Sequence, residues 1–483
     1  MEAPTVGVLV VAYNAEHTLA RVLDRIPTET SLRLAEVLVQ DDHSSDNTTE
    51  VAHDYLESTV ELNLTVVRHE QNLGYGGNQK AGYRYALDNG WDVVVLLHGD
   101  GQYAPEIMAE LIDPIVRGEA DAVFGSRMMN PGDARRGGMP LYKFVGNRIL
   151  STLQNALTGL RLSEWHSGFR AYRVAALADI PLDKNSDGFD FDTEIILQLA
   201  DAQKTIVEVP IPTYYGDEIC YVNGLQYARD VVRHTAAHRL GRSGFGRGRL
   251  GHVEGPYAFK SSQYSSHGRI LELADIRQRA NVLDVGCGAG WLAERLTASG
   301  HTVTGIDATE ADGVRQRMQR FVCGDLSAGL PDTIDAGYDL VIAADIVEHL
   351  PDGHAMLAEL REHVRPGGSV IVSVPNFAHW YPRLRVAAGR FDYDQRGILD
   401  STHLRFFTRR SFLRAAAAVG LHPIRDAHTG LPLDALGLPS SITTALGRVD
   451  RALVGLWPTM FAYQLIFELA PDGEATAPPH GLS

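Results

Sequence analysis

Short apolar runs of the kind that form buried parallel strands recur along this chain in two blocks, and a segment with almost no apolar residues separates them. That segment is Leu240-Gly241-Arg242-Ser243-Gly244-Phe245-Gly246-Arg247-Gly248-Arg249. It offers little to a core, so it reads as a flexible, basic linker over 240–256, with one domain at 1–239 and another at 257–471. The polar, proline-rich tail, 472–483, reads as disordered. With 483 residues, each domain has enough chain for its own core.

In the first block, strands are expected at Val6–Ala12, Glu36–Gln40, Leu64–Arg68, Val93–Leu97 and Ala122–Gly125. Helical patterns lie between them at Thr18–Ile26, Asn47–Leu56 and Asn78–Leu87, and Asn47 with Glu50 resembles a capping box. In the second block a helix at 264–275 precedes strands Ala280–Val285, His301–Ile306, Arg320–Cys323, Tyr338–Ala343 and Gly368–Val374. A helix around Ala355–His363 is stopped by Arg365-Pro366-Gly367-Gly368, and Phe461–Glu468 reads as the last strand. Both blocks predict α/β, doubly wound domains. The segment Ile442–Trp457 has amphipathic spacing, better suited to covering the sheet or forming a homodimer interface than to touching a membrane.

A formal net charge of −16 excludes general nucleic-acid binding. Cys220, Cys287 and Cys323 are far apart and odd in number, which fits a reducing, cytoplasmic setting. The start, Met1-Glu2-Ala3-Pro4, reads as having no leader, and no apolar run is long enough for a transmembrane segment. Membrane contact is therefore expected to be peripheral at most.

Asp41 and Asp42 follow a strand, at the sheet edge where such folds bind ligands. They can accept hydrogen bonds from a base or a ribose, or, with Asp46, simply cap the next helix. Asp100 ends the run Val93–Leu97 within His98-Gly99-Asp100-Gly101-Gln102. A carboxylate beside a diphosphate needs a divalent metal, Mg or Mn, between them. Gln102 can add a carbonyl oxygen or orient a metal-bound water.

These residues resemble family 2 glycosyltransferases of the GT-A fold, nearest the dolichyl-phosphate mannose synthase group, over about residues 5–235. The matching pieces are Ala12-Tyr13-Asn14 with Glu16, Asp41-Asp42-x-Ser44, Asn72-Leu73-Gly74-Tyr75-Gly76, Gly99-Asp100-Gly101-Gln102, Gly125-Ser126-Arg127, Ser167-Gly168-Phe169-Arg170 and Val209-Pro210-Ile211. The resemblance implies that Tyr13, Glu16, Asp41 and Asp42 contact a nucleotide-sugar donor. Asp100 and Gln102 would hold the metal, and Arg127 a donor or acceptor phosphate. It also implies direct displacement with inversion. Two features depart from the pattern. His98 replaces the first carboxylate of Asp-x-Asp, as a ligand or only a neighbour. Tyr214-Tyr215-Gly216-Asp217-Glu218 is acidic where a basic phosphate clamp is usual, which weighs against a lipid-phosphate acceptor. The acceptor is a glycan, a glycoconjugate or a lipid-linked group. A hydroxyl acceptor needs a general base, for which Glu164 stands first and Asp190 and Asp192 in reserve.

In the second block, Asp284 precedes the turn Gly286-x-Gly288-x-Gly290, with Asp307 and Asp325 after the next two strands. A glycine triplet alone is shared with NAD-binding proteins. The combination resembles class I S-adenosylmethionine-dependent methyltransferases with a Rossmann-like sheet of seven strands, the last antiparallel, over about 257–470. Supporting matches are Ala344-Asp345-Ile346-Val347-Glu348-His349-Leu350, Arg365-Pro366-Gly367-Gly368 and Val374-Pro375-Asn376. The resemblance implies that Asp307 binds the ribose, Asp325 the adenine amino group, and Asp284 with the glycines the amino-acid end. His403 is the candidate base by its intrinsic pKa, with His379 and Tyr381 in the acceptor region. The chain thus reads as a bifunctional transferase, expected to methylate a related glycan or glycoconjugate. The alternative is a methyltransferase whose first domain only binds sugar nucleotides.

Overall fold

The computed structural model describes residues 3–59, 62–214, 224–246, 264–275, 279–433 and 440–472. It divides into two compact units, the first holding the described residues up to Arg239, the second those from Leu240 onward.

The first unit has one sheet of seven strands: β1 (Val6–Ala12), β2 (Leu34–Asp41), β3 (Leu64–Arg68), β4 (Val93–His98), β5 (Ala122–Ser126), β6 (Arg170–Arg173) and β7 (Ile206–Pro210). Their order is β3-β2-β1-β4-β6-β5-β7. The apolar runs are continuous because both faces are covered. Val8, Val10 and Val39 enter one core cluster, and Leu9, Leu38 and Leu96 the other. In register, Ala12 lies opposite Asp41, and Val11 opposite His98. The loops after β1, β2 and β4 therefore open on one edge.

Two strands were not legible as apolar runs. β6 is antiparallel to β4 and β5 and begins with the buried Arg170. β7 is only half-buried and ends at Pro210. The expected capping box is absent. Asn47 makes no side-chain cap; its backbone N–H and Nδ2 instead donate to Glu16 Oε2 at 3.1 and 3.0 Å.

The second unit has strands β8 (Asn281–Val285), β9 (Thr302–Asp307), β10 (Arg320–Cys323), β11 (Tyr338–Ala344), β12 (Val364–Pro375), β13 (Leu421–Thr429) and β14 (Gln464–Pro471). Their order is β10-β9-β8-β11-β12-β14-β13, with β14 antiparallel to both neighbours as expected. The helix Gly353–His363 ends just before Arg365-Pro366-Gly367-Gly368, as expected, and these residues lie in the first part of β12. β13 lies at the edge, mostly half-exposed, and tolerates Pro423 there. The helix Ser440–Leu456 puts Val454 into the core beside Phe412 and Phe467, so this segment covers the sheet.

Of the expected linker, Leu240–Gly246 is packed into this unit. Phe245 stacks on Trp380 at 6.3 Å and meets Tyr381 edge-on at 4.9 Å, and Gly246 N–H donates to Tyr381 Oη at 3.0 Å. Residues 247–256, Cys220, Tyr215–Glu218 and the tail from residue 473 lie outside the described residues.

Gly7 in β1 has the Trp91 ring where a side chain would go: an added Cβ would lie 2.0 Å from it. Gly7→Ala should therefore destabilise the first unit by about 1–3 kcal/mol. In a thermal melt it should lower one transition and leave the other in place. A shift of both together would mean that the units unfold as one.

Candidate functional site

The turn after β2 is built by two buried carboxylates. Asp41 is fully buried and accepts hydrogen bonds from Ser44 N–H at 3.0 Å, from Ser44 Oγ and from Thr49 Oγ1. Asp42 accepts from the amides of Leu73 at 2.7 Å and Gly74 at 3.1 Å, which fixes the Asn72–Gly74 loop. Burial lifts its pKa despite these two bonds. Asn14, at φ 49°, accepts from Ser45 N–H at 3.0 Å, and Glu16 holds Asn47. Tyr13, 44% exposed, stands at the mouth. Tyr13, Glu16, Asp41 and Asp42 thus gather at one edge, while Arg127 follows β5, farther across the sheet.

At the end of β4, Asp100 is exposed and accepts Gln102 N–H at 3.0 Å. The His98 ring lies in an aromatic cage. Its ring meets Tyr103 at 5.1 Å and Tyr75 at 5.7 Å, both edge-on. Gly168 packs so closely that a Cβ there would lie 2.6 Å from the imidazole. Burial lowers the His98 pKa, so the ring is neutral near pH 7. Tyr75 and Gly168 stood within motifs already noted; Tyr103 carried no sequence signal.

Every carboxylate expected as a base is tied up. Glu164, fully buried, accepts from Arg127 N–H at 2.7 Å, Arg127 Nε at 3.0 Å and Asn147 Nδ2 at 2.7 Å. Burial alone would raise its pKa. The Arg127 charge and these hydrogen bonds outweigh that and hold it below the usual carboxylate range. Asp192 accepts from Tyr75 Oη at 2.8 Å and lies 3.4 Å from Arg170. His234 Nδ1 lies 3.0 Å from Asp190 and 3.1 Å from Glu194, and hydrogen bonding to these two carboxylates raises the His234 pKa to about 9. His166, missed in the sequence, is pushed down to about 4 by burial.

In the second unit, Val285 lies opposite both Ile306 and Ala343, and Cys323 opposite Asp307, so the turns after β8, β9 and β10 share one edge. Gly286, Gly288 and Gly290 have φ of 75°, 53° and 76°. A Cβ at Gly286 would meet Ile346 at 2.9 Å, and one at Gly290 would meet Met318 at 2.9 Å. Gly288 faces open space, and its N–H donates to Asp307 Oδ2 at 2.8 Å. Asp325, exposed, caps the next turn by accepting Ser327 N–H at 2.9 Å. Asp284 is buried with Oδ2 unpartnered, and burial lifts its pKa to about 7.

After β11, Glu348 is 1% exposed, and neither of its oxygens has a hydrogen-bond partner. Burial, then the Asp345 charge, raises its pKa far above the usual range. His349 and His403 stand beside it, their rings 4.7 Å apart. The ligating atoms of Glu348, His349 and His403 lie within 4.8 Å of one another, a donor set that suits a divalent cation. The other such cluster among the described residues is Asp190, Glu194 and His234; neither includes Asp100. His403 Nδ1 lies 3.2 Å from the Ile398 carbonyl, which leaves Nε2 with the lone pair of a neutral ring. His379 and Tyr381 make local hydrogen bonds, while His379 Nε2 is buried without a hydrogen-bond partner. His379 Nδ1 accepts Tyr381 N–H at 3.3 Å, and Tyr381 Oη donates to Asp394 at 2.7 Å.

A family model described as Glycosyl transferase family 2 matches residues 7–180. The UDP-N-acetylglucosamine–dolichyl-phosphate N-acetylglucosaminyltransferase of Methanococcus voltae is 30% identical over 219 residues, 43% of this chain and 85% of that protein. The chain belongs to glycosyl transferase family 2. The undecaprenyl-phosphate mannosyltransferase of Micrococcus luteus is 32% identical over 195 residues, 40% of this chain and 75% of that protein. Beyond this family 2 portion, a model described as Methyltransferase domain matches residues 262–425. The ubiquinone biosynthesis O-methyltransferase of Pseudomonas syringae pv. tomato is 35% identical over 117 residues, 21% of this chain and 49% of that protein. This family 2 chain is therefore a transferase with both a glycosyltransferase and a methyltransferase domain, and the two expected fold classes hold.

The raised Asp284 pKa carries a sign. The native state keeps a proton that the unfolded chain releases near pH 4, so stability from this group falls as pH rises from about 4 to 7. Asp284→Asn should remove about 1.4 kcal/mol per pH unit from that slope. Urea titrations of both proteins from pH 4.5 to 7.5 measure this; parallel curves would mean Asp284 is already ionised.

Proposed function

We propose that the first unit transfers a sugar, with inversion, from a nucleoside diphosphate sugar to a phosphate-bearing lipid acceptor. The observation that carries this is the pairing of every candidate base: Glu164 with Arg127, Asp192 with Arg170, Asp190 with His234. A hydroxyl acceptor would need one of them free. A phosphate monoester arrives already ionised, its second pKa being about 6, and needs none. The names of the relatives from Methanococcus voltae and Micrococcus luteus, which act with dolichyl and undecaprenyl phosphate, support the same choice. These arguments outweigh the acidic stretch at Asp217-Glu218. Asp100, exposed at the end of β4, fits a divalent cation held by one carboxylate plus phosphate oxygens. When bound, that ion would offset the diphosphate charge. Tyr13, Glu16, Asp41 and Asp42 shape the nucleotide side, and Arg127 the far side.

We further infer that the second unit takes S-adenosylmethionine. The open backbone at Gly288 accommodates close approach of a ligand, and the unpartnered Asp284 oxygen suits its ammonium group. The cofactor supplies an electrophilic methyl group. His403 Nε2 takes the proton of an oxygen nucleophile, on a glycan related to the sugar the first unit transfers. No helix among the described residues is long and apolar enough to cross a membrane.

Asp100→Ala should abolish nucleotide release from a panel of nucleotide-sugars mixed with isoprenyl phosphate and Mn or Mg. Full activity of the variant would remove the metal-assisted reading. An inactive parent that still binds a nucleotide-sugar would favour the binding-module alternative. Asp307→Ala should weaken S-adenosylmethionine binding roughly 10- to 100-fold, as loss of a charge-assisted hydrogen bond implies. Unchanged affinity by calorimetry in a folded variant would show that Asp307 does not hold the ribose.

A further inference from the structure

Glu348 is a buried acid whose side chain the protein leaves without a partner. It is 1% exposed, and neither carboxyl oxygen is hydrogen-bonded. Its backbone, by contrast, is held firmly. The Glu348 carbonyl accepts from the amides of Leu404 at 2.9 Å and Arg405 at 3.0 Å, which ties the loop after β11 to the loop that carries Asp400 and His403. A polar side chain buried and unsatisfied in this way calls for an explanation, and a bound ion supplies one.

The two imidazoles beside it are oriented to share such an ion. His403 Nδ1 lies 3.2 Å from the Ile398 carbonyl, which only accepts, so Nδ1 carries the proton and Nε2 the lone pair. His349 is fixed in the same way through a longer relay. Thr402 Oγ1 donates to Asp400 Oδ1 at 2.8 Å, so it accepts from His349 Nδ1 at 3.1 Å, and His349 Nε2 also keeps a lone pair. An imidazole anchored through one N–H, with the other nitrogen free, is the usual state of a metal ligand. The ligating atoms of Glu348, His349 and His403 lie within 4.8 Å of one another. The cluster of Asp190, Glu194 and His234 differs, because a protonated His234 between two carboxylates already supplies the positive charge there.

We propose that Glu348, His349 and His403 hold a divalent transition-metal ion such as zinc or cobalt, with positions left open for the hydroxyl oxygen of the methyl acceptor. One carboxylate with two imidazoles suits these ions better than magnesium or calcium, and three protein ligands leave room for substrate. The site follows β11, the neighbour of β8, whose turn carries Gly286, Gly288 and Gly290. The inference deepens the methyl-transfer reading and rests on it. A hydroxyl bound to the ion releases its proton to water, and its oxygen bonds to the methyl carbon as the carbon–sulfur bond breaks, leaving a neutral thioether. The base role given to His403 belongs to the ion-free site; with the ion in place, Nε2 is a ligand.

The test uses the full chain without an affinity tag, carrying Asp100→Ala so that an ion of the first unit is not counted. After chelator treatment it is dialysed against zinc or cobalt and its metal content measured. This chain should retain about one ion, and further change of Glu348→Gln should abolish that retention while S-adenosylhomocysteine binding by calorimetry stays unchanged. Thr402→Val, which removes the anchor of His349 Nδ1, should weaken metal binding roughly 10- to 100-fold. Acetohydroxamate, a probe with two oxygen donors, should shift the visible absorption of the cobalt form. No retained ion, or an ion that survives Glu348→Gln, overturns the proposal, as does an ion lost on His234→Ala instead. Unchanged affinity in Thr402→Val overturns the three-ligand set, and a cobalt spectrum that acetohydroxamate leaves unmoved overturns the acceptor role. An ion lost with Glu348, in a chain that binds no S-adenosylhomocysteine, sustains the metal site and overturns the methyl-transfer reading instead.

Discussion

Two arginines lie beneath the carboxyl edge of the first sheet, and their burial sets the terms for what surrounds them. Arg170 is 1% exposed; it reaches Asp192 at 3.4 Å and donates to the carbonyls of Ser167, Trp165 and Asp192. Arg127 is held by Glu164 through its backbone amide and its guanidinium. A guanidinium stripped of water costs several kcal/mol unless opposite charge and hydrogen bonds replace what it lost. That requirement fixes the loop from Glu164 to Arg170, the helix Phe191–Asp201 and the inner face of the helix Leu141–Thr158 at the same time. Glu164 and Asp192, both at base-like positions, supply the opposite charge to these arginines.

The second unit solves the opposite problem. Asp284 and Glu348 are as deeply buried but have no cationic protein partner, and burial lifts both pKa values. A carboxyl group in that state favours a ligand that brings the positive charge itself. The first unit thus pairs Glu164 and Asp192 with arginines, and the second keeps Asp284 and Glu348 suited to cationic ligands.

The buried parallel strands were readable because both faces are covered and the sequence is apolar throughout. The glycine turn was readable because alternating glycines directly after a buried strand suit a backbone that must pass through left-handed positions, as all three do here. β6, β7 and β13 were hidden for physical reasons. Arg170 looks like a surface residue until its partners are known, and β7 and the Pro423-bearing β13 are half-exposed edge strands. Asn47 and Glu50 have capping-box spacing, yet Glu16, distant in sequence, takes the amide that Glu50 would have accepted. Glu164 was found by its place in a motif, but its role depended on Arg127, and local spacing does not encode that pairing. Phe245 was overlooked because one aromatic among glycines and arginines barely changes composition.

The seating of Phe245 bears on how such a fusion arises. Gly244 packs against Tyr463, where a Cβ would lie 2.3 Å from the hydroxyl, and Phe245 lies against Trp380 and Tyr381. A recombination event that joined the two ancestral genes downstream of these residues would have stripped the second domain of an aromatic plug and left Trp380 and Tyr381 wet. A second domain cut free of the first would therefore keep its aromatic plug only if the cut fell before Gly244.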